Sequence, residues 1–560
     1  MAACLLAGGL LAAAARAADV APAGEVRAIR VIADRAADCS SLSNIVASVT
    51  RDCKNNDEKM VALNNFMRIS HYHRSYPPGE WGNPKWFTNY GWSLCGGLAA
   101  LQISLYQQIP GWGWRGVHVP GHNMSEAFYD DSWHWVDAFT KFYCWRPATN
   151  AAGRAIASHH DIRANPGLIT NNLAFDPKEG VVYANDNRKE LISGKVNWTA
   201  PALLVCGDEL KYCLYLKGTS FDAYDPATVK PNSQWAAYSA DVNLPPGFAL
   251  ENTWDRLAPP AESWPIKDKD KVGHTCGTNK DTRNDPVAGP VWEPYFQKPR
   301  SYWNGRIVFT PDFSSPAVLS SFAAAENVKV EGGALVPADA AKPASVTVNF
   351  ESPYAIVKIV GTAAGEGISV NNLPLEGGAF NALVPGYSQP KHQVKIGIKT
   401  RLQALHAEAI VLNNAGALPY LSPGANQITV SVANPQALGE NKLVVTYAYC
   451  PGFRDKSFDE LFQEGKRLFN QSYASWATNM PIVVQKTFAA KDLPATFSID
   501  VTTPKDKYPV YPKMLFVRRE VVPPNGKPLP LPENAQAPSK DGELKTLPSP
   551  FLIGLNPPAK

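Results

Sequence analysis

From about residue 302 to residue 518 the chain keeps returning to one pattern: short runs of alternating apolar and polar residues, cut by Gly, Pro and Asn. The runs fall at 306–309, 345–350, 355–360, 393–398, 427–432, 442–449, 482–487, 496–501 and 514–518. A period of two sends successive side chains to opposite faces of a strand, so each run buries one face and wets the other. With turn residues between them, as at Ser422-Pro423-Gly424, the runs predict a β-sandwich-rich region over 301–522. One stretch, 457–476, breaks the rhythm and reads as a helical insert. The 15 Trp and 48 Pro fit strand-and-loop architecture better than helical bundles, and 560 residues imply more than one domain.

The first part of the chain has a different texture. Residues 57–73 carry an apolar stripe through Met60, Leu63 and Met67 behind Asp57-Glu58, which suits a helix ended by Pro77-Pro78-Gly79. An aromatic loop over 81–92 leads to a second helix over 94–108, stopped by Pro110-Gly111. Strands follow at 115–119, 123–129 and 132–138, with Asp130-Asp131 as a turn. Helices followed by an antiparallel sheet make an α+β domain over 19–145. Residues 146–300 are loop-rich and suggest no fold, and the Pro-rich tail 523–560 is expected to be disordered or draped over the surface.

Residues 1–18 form an apolar, Ala-rich leader ending in small residues, which predicts a signal peptide and an exported protein. No later stretch approaches the roughly 18 apolar residues of a membrane span. In an oxidising compartment Cys39 with Cys53, and Cys206 with Cys213, are candidate disulfides; Cys144, Cys276 and Cys450 have no assignable partner. The formal charge of +4 is spread along the chain without a Lys/Arg run, which argues against nucleic acid as a partner. No CxxC spacing occurs, and neither His71 with His73 nor His159 with His160 has a third ligand, so no metal and no cofactor are expected. His118 and His134 read as packing residues on flanking strands, and the Trp cluster around them as core.

Chemistry concentrates between Gly91 and Asp137. Gly91-Trp92-Ser93-Leu94-Cys95-Gly96-Gly97, Gly121-His122-Asn123 and Trp133-His134-Trp135-Val136-Asp137 supply a thiol, an imidazole and a carboxylate in that order. Nucleophilic acyl transfer uses those three groups. Ser93 is suited to cap the second helix, which puts Cys95 in its first turn, where the helix dipole and free N–H groups favour a thiolate. A hairpin turning about residues 130 and 131 brings Asp137 within about two residues of the position facing His122, on the same face. The plainer alternatives are a buried half-cystine at Cys95 and an ordinary surface His–Asp pair.

These segments resemble the transglutaminase-like superfamily. Gly121-His122, Glu126-Ala127-Phe128-Tyr129, Trp133 and Val136-Asp137 follow its histidine and aspartate motifs, and Gly91 to Cys95 with Leu98-Ala99 resembles its nucleophile segment. The resemblance covers about 55–145 and implies a papain-like fold, with Cys95 as nucleophile, His122 as general base and acid, and Asp137 orienting the imidazole. Departures are Met124, where an aromatic residue is usual, and a short interval between Cys95 and His122. Asn89, Trp86 and Trp92 are candidate oxyanion donors, and Trp81, Tyr90 and Met124 candidate groove residues. The implied activity is hydrolysis of a peptide, isopeptide or other amide bond, in a substrate such as a cell-surface polymer, in preference to cross-linking. The competing expectation is an inactive transglutaminase-like scaffold whose β-sandwich binds carbohydrate or protein. Oligomeric state is not legible.

Overall fold

All of the alternating runs fall on strands of the computed structural model. It describes residues 24–73, 92–93, 95–119, 122–137, 143–165, 167–170, 173–176, 181–184, 203–206, 220–222, 238–253, 303–383, 391–414, 417–422, 424–450, 481–502, 513–538, 542–544 and 550–552. These residues are mostly β, with few helices. Thirteen strands join one sheet. Its main path runs Ala324–Glu326, Ser345–Glu351, Lys391–Leu412, Trp303–Phe309, Phe248–Thr253, Lys513–Val522, Lys442–Cys450 and Ile482–Phe488. Ser345–Glu351 alternates between buried and half-exposed positions as the sequence pattern requires. Lys442–Cys450 instead buries every residue after the first, so both of its faces are covered.

Two strands are far longer than their sequence runs. Ala355–Val370 pairs antiparallel with Lys391–Leu412 from Ala355 opposite Leu412 to Val370 opposite Ile396. The extra length is held by backbone pairing, because Gly361 to Gly367 has little apolar alternation to read. The ladder shifts register at Gly365, where a Cβ would lie 2.1 Å from the Arg401 carbonyl oxygen.

The N-terminal segment is part of the β-rich architecture. Strand β1, Arg30–Ala33, pairs with Gly424–Ser431, which also pairs with Ala495–Val501. Phe248–Thr253 lies in the middle of the large sheet and buries all six residues. Between them the chain builds a smaller unit. Helix α1, Leu42–Val49, is capped by Ser41, and α2, Asn56–Ser70, is capped by Asn55 with Asp57 and Glu58 in its first turn. The helix expected over 57–73 ends at Ser70, and the next residues form β2, Tyr72–His73, parallel to β3, Trp92–Ser93. Helix α3, Cys95–Tyr106, then packs on a sheet of β4, Gly113–Val119, β5, His122–Tyr129, and β6, Ser132–Val136, extended beyond β4 by Ser220–Phe221.

Cys39 and Cys53, expected as a disulfide, are free thiols. Burial raises both thiols, so each is held in its protonated form. Cys206 ends the strand Leu203–Cys206, and Cys213, Cys276 and the insert 457–476 lie outside the described residues. No described helix is long and apolar enough to cross a membrane.

The described part of the Pro-rich tail is mostly exposed over 523–538 and carries one large apolar anchor further on. Phe551 is buried against Phe66 of α2 with ring centroids 6.3 Å apart, and its carbonyl accepts from Asn65 Nδ2 at 2.9 Å. Replacing a buried phenylalanine costs about 3 kcal/mol or more. Phe551→Ala is therefore expected to lower the urea unfolding midpoint by that equivalent at unchanged m-value; a loss below about 0.5 kcal/mol, the range of ordinary surface substitutions, would show that the tail is no anchor.

Candidate active site

Helix α3 is buried on nearly every side, through Leu98, Ala99, Leu101, Gln102, Leu105 and Tyr106. A helix apolar all round is a core element, and this one holds its first residue, Cys95, in place. The N–H groups of the first turn have no partner inside the helix, and the dipole leaves partial positive charge there. Ser93 does not cap it. It belongs to β3, and its buried Oγ has no hydrogen-bond partner. The reason is local: Ser93 is held in the extended β2–β3 pair, opposite His73.

The β5–β6 hairpin supplies the other two groups. Asp130 and Asp131 both have positive φ, 46° and 59°, and Tyr129 faces Ser132 across them, a two-residue turn whose twist matches the flanking strands. The register runs back to Ser125 opposite Val136. One more step sets Asp137 opposite Met124, two residues from His122 and on its face. His122 Nε2 and Asp137 Oδ2 are 2.8 Å apart, with side chains only 1% and 4% exposed. With Nε2 engaged, Nδ1 is left for the thiol, and a hydrogen bond links the His122 ring to Cys95.

Electrostatics separates this thiol from the others. Burial pushes Cys39 and Cys144 up, and Cys53 up to about 12. Burial acts on Cys95 in the same direction, but the His122 hydrogen bond and charge, with a backbone hydrogen bond from Asn123, outweigh it and hold Cys95 below the usual thiol range. Burial alone would lower His122; the Asp137 charge and hydrogen bond, helped by Cys95, raise it to about 10. The pair therefore favours thiolate and imidazolium.

Two carboxylates with no role assigned from the sequence, Glu126 of the histidine motif and Asp222, support the same strands. Glu126 is fully buried, bonds Arg115 Nε at 2.7 Å and accepts from the His159 backbone N–H at 2.7 Å, fixing the start of helix α4, His159–Ala164, over the face that carries His122. Asp222, from the region that suggested no fold, bonds His118 Nε2 at 2.9 Å and the Gly116 N–H at 3.2 Å. A Cβ at Gly116 would lie 2.3 Å from Asp222 Oδ2, so only glycine admits that contact. No recognisable motif surrounds Asp222, and a two-residue strand leaves no periodicity.

Some expected roles move. Met124, a candidate groove residue, is 1% exposed, because the alternation that turns His122 inward does the same two residues later. His118 is half-exposed and hydrogen-bonded to Asn123 and Asp222 instead of packed, since β4 has only a two-residue neighbour there. His134 does pack, stacked on Tyr129 with centroids 3.7 Å apart. Trp92 lies in β3, while Trp81, Trp86, Asn89 and Tyr90 lie outside the described residues. Among the described residues no group of three or more His, Cys, Asp or Glu is gathered to hold a metal. No protein-family model, no curated protein and no solved structure matches the chain.

Asp137→Asn tests the relay. It removes the charge that raises His122 and, with it, a weaker direct repulsion that raises Cys95; the loss of charged His122 outweighs that repulsion, so His122 falls and Cys95 rises. The expected outcome is a thiolate ultraviolet absorbance that titrates in at higher pH than in the wild type; an unchanged titration would mean that Asp137 does not act through His122.

Proposed function

We propose that the protein is an exported cysteine enzyme that hydrolyses an amide bond, peptide or isopeptide, through Cys95, His122 and Asp137. The observation that carries this reading is the buried His122–Asp137 contact joined by hydrogen bond to a thiol of lowered pKa. A nucleophile at a helix start beside an antiparallel sheet bearing its base also supports a papain-like arrangement of transglutaminase type, in line with the sequence resemblance. The apolar leader supports export.

The chemistry follows from the geometry. Cys95 thiolate attacks the substrate carbonyl carbon, and the carbonyl π electrons move to oxygen. N–H groups at the start of α3 lie beside the nucleophile to meet that oxyanion. As the intermediate collapses, the C–N bond breaks and the His122 imidazolium protonates the leaving amine, leaving a thioester on Cys95. Neutral His122 then takes a proton from water, whose oxygen attacks the thioester; the carboxylic acid leaves and the thiolate–imidazolium pair is restored. Asp137 keeps the imidazole oriented and stabilises its charged form throughout.

Alkylation by iodoacetamide at mildly acidic pH reads out the thiolate. Wild-type Cys95 is expected to react at least about 100-fold faster than its His122→Ala counterpart, the scale of a lost acid–base partner. The low-pH limb of the profile follows thiolate formation, so it lies below the range of an ordinary thiol. Slow labelling, equal in the two proteins, would favour the inactive scaffold.

A further inference from the structure

Two consecutive buried arginines in the large sheet are treated in opposite ways. Arg518 and Arg519 lie on Lys513–Val522, and their side chains leave opposite faces of the strand. On one face Arg518 meets Glu251 at 2.7 Å and Glu520 at 3.6 Å, and it donates to the Leu529 and Pro530 carbonyls. On the other face Arg519, 4% exposed, forms no ion pair among the described residues. Its one hydrogen bond runs from Nη1 to the neutral Asn252 Oδ1 at 2.7 Å.

The register gathers more donors on that face. Val517 is opposite Asn252 on one side and Tyr447 on the other, and Arg519 follows two residues later. Among the described residues, Arg519 Nε, Asn252 Nδ2 and the Tyr447 hydroxyl are buried without a hydrogen-bond partner; of these three residues it is Arg519 that borders open space. Arg519 also lines a cavity of about 50 Å³ between the sheet and the segments 29–32 and 37–40. The single carboxylate in that lining, Asp38, is bonded through Oδ1 to the Ser40 N–H and hydroxyl at 3.0 and 2.6 Å, and the other cation, Arg30, is held by Asp241 at 3.1 Å.

Buried charges are retained where they are paired, and buried donors where they find acceptors. Here a fixed positive charge lines a cavity with one neutral amide oxygen, Asn252 Oδ1, as its hydrogen-bond acceptor among the described residues. We infer that this cavity is a binding site for a small monovalent inorganic anion of the size of chloride, held by the Arg519 guanidinium. The volume exceeds the roughly 10–15 Å³ that one water requires and excludes an organic acid such as gluconate. The bound ion joins the N-terminal segment to the centre of the sheet, and its role is independent of Cys95.

Thermal unfolding of the full chain in sodium chloride against sodium gluconate, at matched ionic strength, tests the site. The expected result is a Tm that rises and saturates with chloride, is reproduced by bromide, and does not saturate with gluconate. Arg519→Met is expected to abolish the saturable rise, and Tyr354→Phe, which keeps the charge and the ring but removes a hydroxyl from the cavity lining beside Arg519, to raise the apparent chloride Kd several-fold. Identical behaviour of wild type in chloride and gluconate would overturn the inference, leaving a water-filled cavity. So would a saturable rise of the same size in Arg519→Met. Should Arg519→Met not fold, an unchanged Kd in Tyr354→Phe overturns it instead.

Discussion

The register of the β5–β6 hairpin is the constraint on which the small unit depends. Because side chains alternate along a strand, a slip of one residue would exchange the two faces completely. In the register observed, one face carries His122 toward Asp137 and Glu126 toward Arg115 and the His159 N–H. The other face carries Ser125 to Gln102 of α3 at 2.9 Å and Tyr129 to Asp57 of α2 at 2.7 Å. The His122–Asp137 pairing and helix docking are thus set together by a turn of two aspartates in the left-handed region. Polar bonds on both faces penalise the slipped alternatives, which would leave buried carboxylates without donors.

The helices and small sheet form an excursion from a continuous β-rich body. The described chain enters there, with Val26 bridged to Leu244 and β1 paired to Gly424–Ser431, leaves for α1 to α4, and returns at residues 238–253. Two further ties close the excursion: Asn414 Nδ2 to the Ser70 carbonyl at 2.7 Å, and Phe551 against Phe66. Both ties fall at α2, directly ahead of the β2–β3 pair that leads into Cys95. Packing of the β-rich body is thereby coupled to the start of α3.

Strand positions were legible wherever apolar and polar residues alternated, as in Ser345–Glu351, because one buried face leaves a period of two in the sequence. The hairpin carrying His122 and Asp137 was legible for a related reason: a two-residue polar turn between apolar runs fixes register locally. Partnerships across long sequence distances were not. Phe248–Thr253 is enclosed by strands from both sides, yet Glu251 and Asn252 do not read as core; their burial depends on Arg306, Arg518 and Arg519, which arrive from far along the chain. The same holds for Asp222 at His118 and for Phe551 at Phe66. The cap expected at Ser93 failed for another reason: capping preference is weaker than the strand pairing that claims the residue.

Burial normally holds a thiol protonated, as at Cys39 and Cys144, yet Cys95 goes the other way in a site whose other two groups are almost without solvent. The resolution lies in which charge burial penalises. With Asp137 ionised, the triad carries one net negative charge whether the proton sits on Cys95 or on His122. Moving the proton therefore adds no net charge to the interior; it creates a dipole between thiolate and imidazolium. That dipole is stabilised at both ends, by the Asp137 carboxylate behind the imidazolium and by the start of α3 with the Asn123 N–H around the sulfur. Excluding water strengthens both interactions. The burial that disables an isolated thiol thus favours the ion pair once a carboxylate is fixed on its far side, and the hairpin register provides that carboxylate.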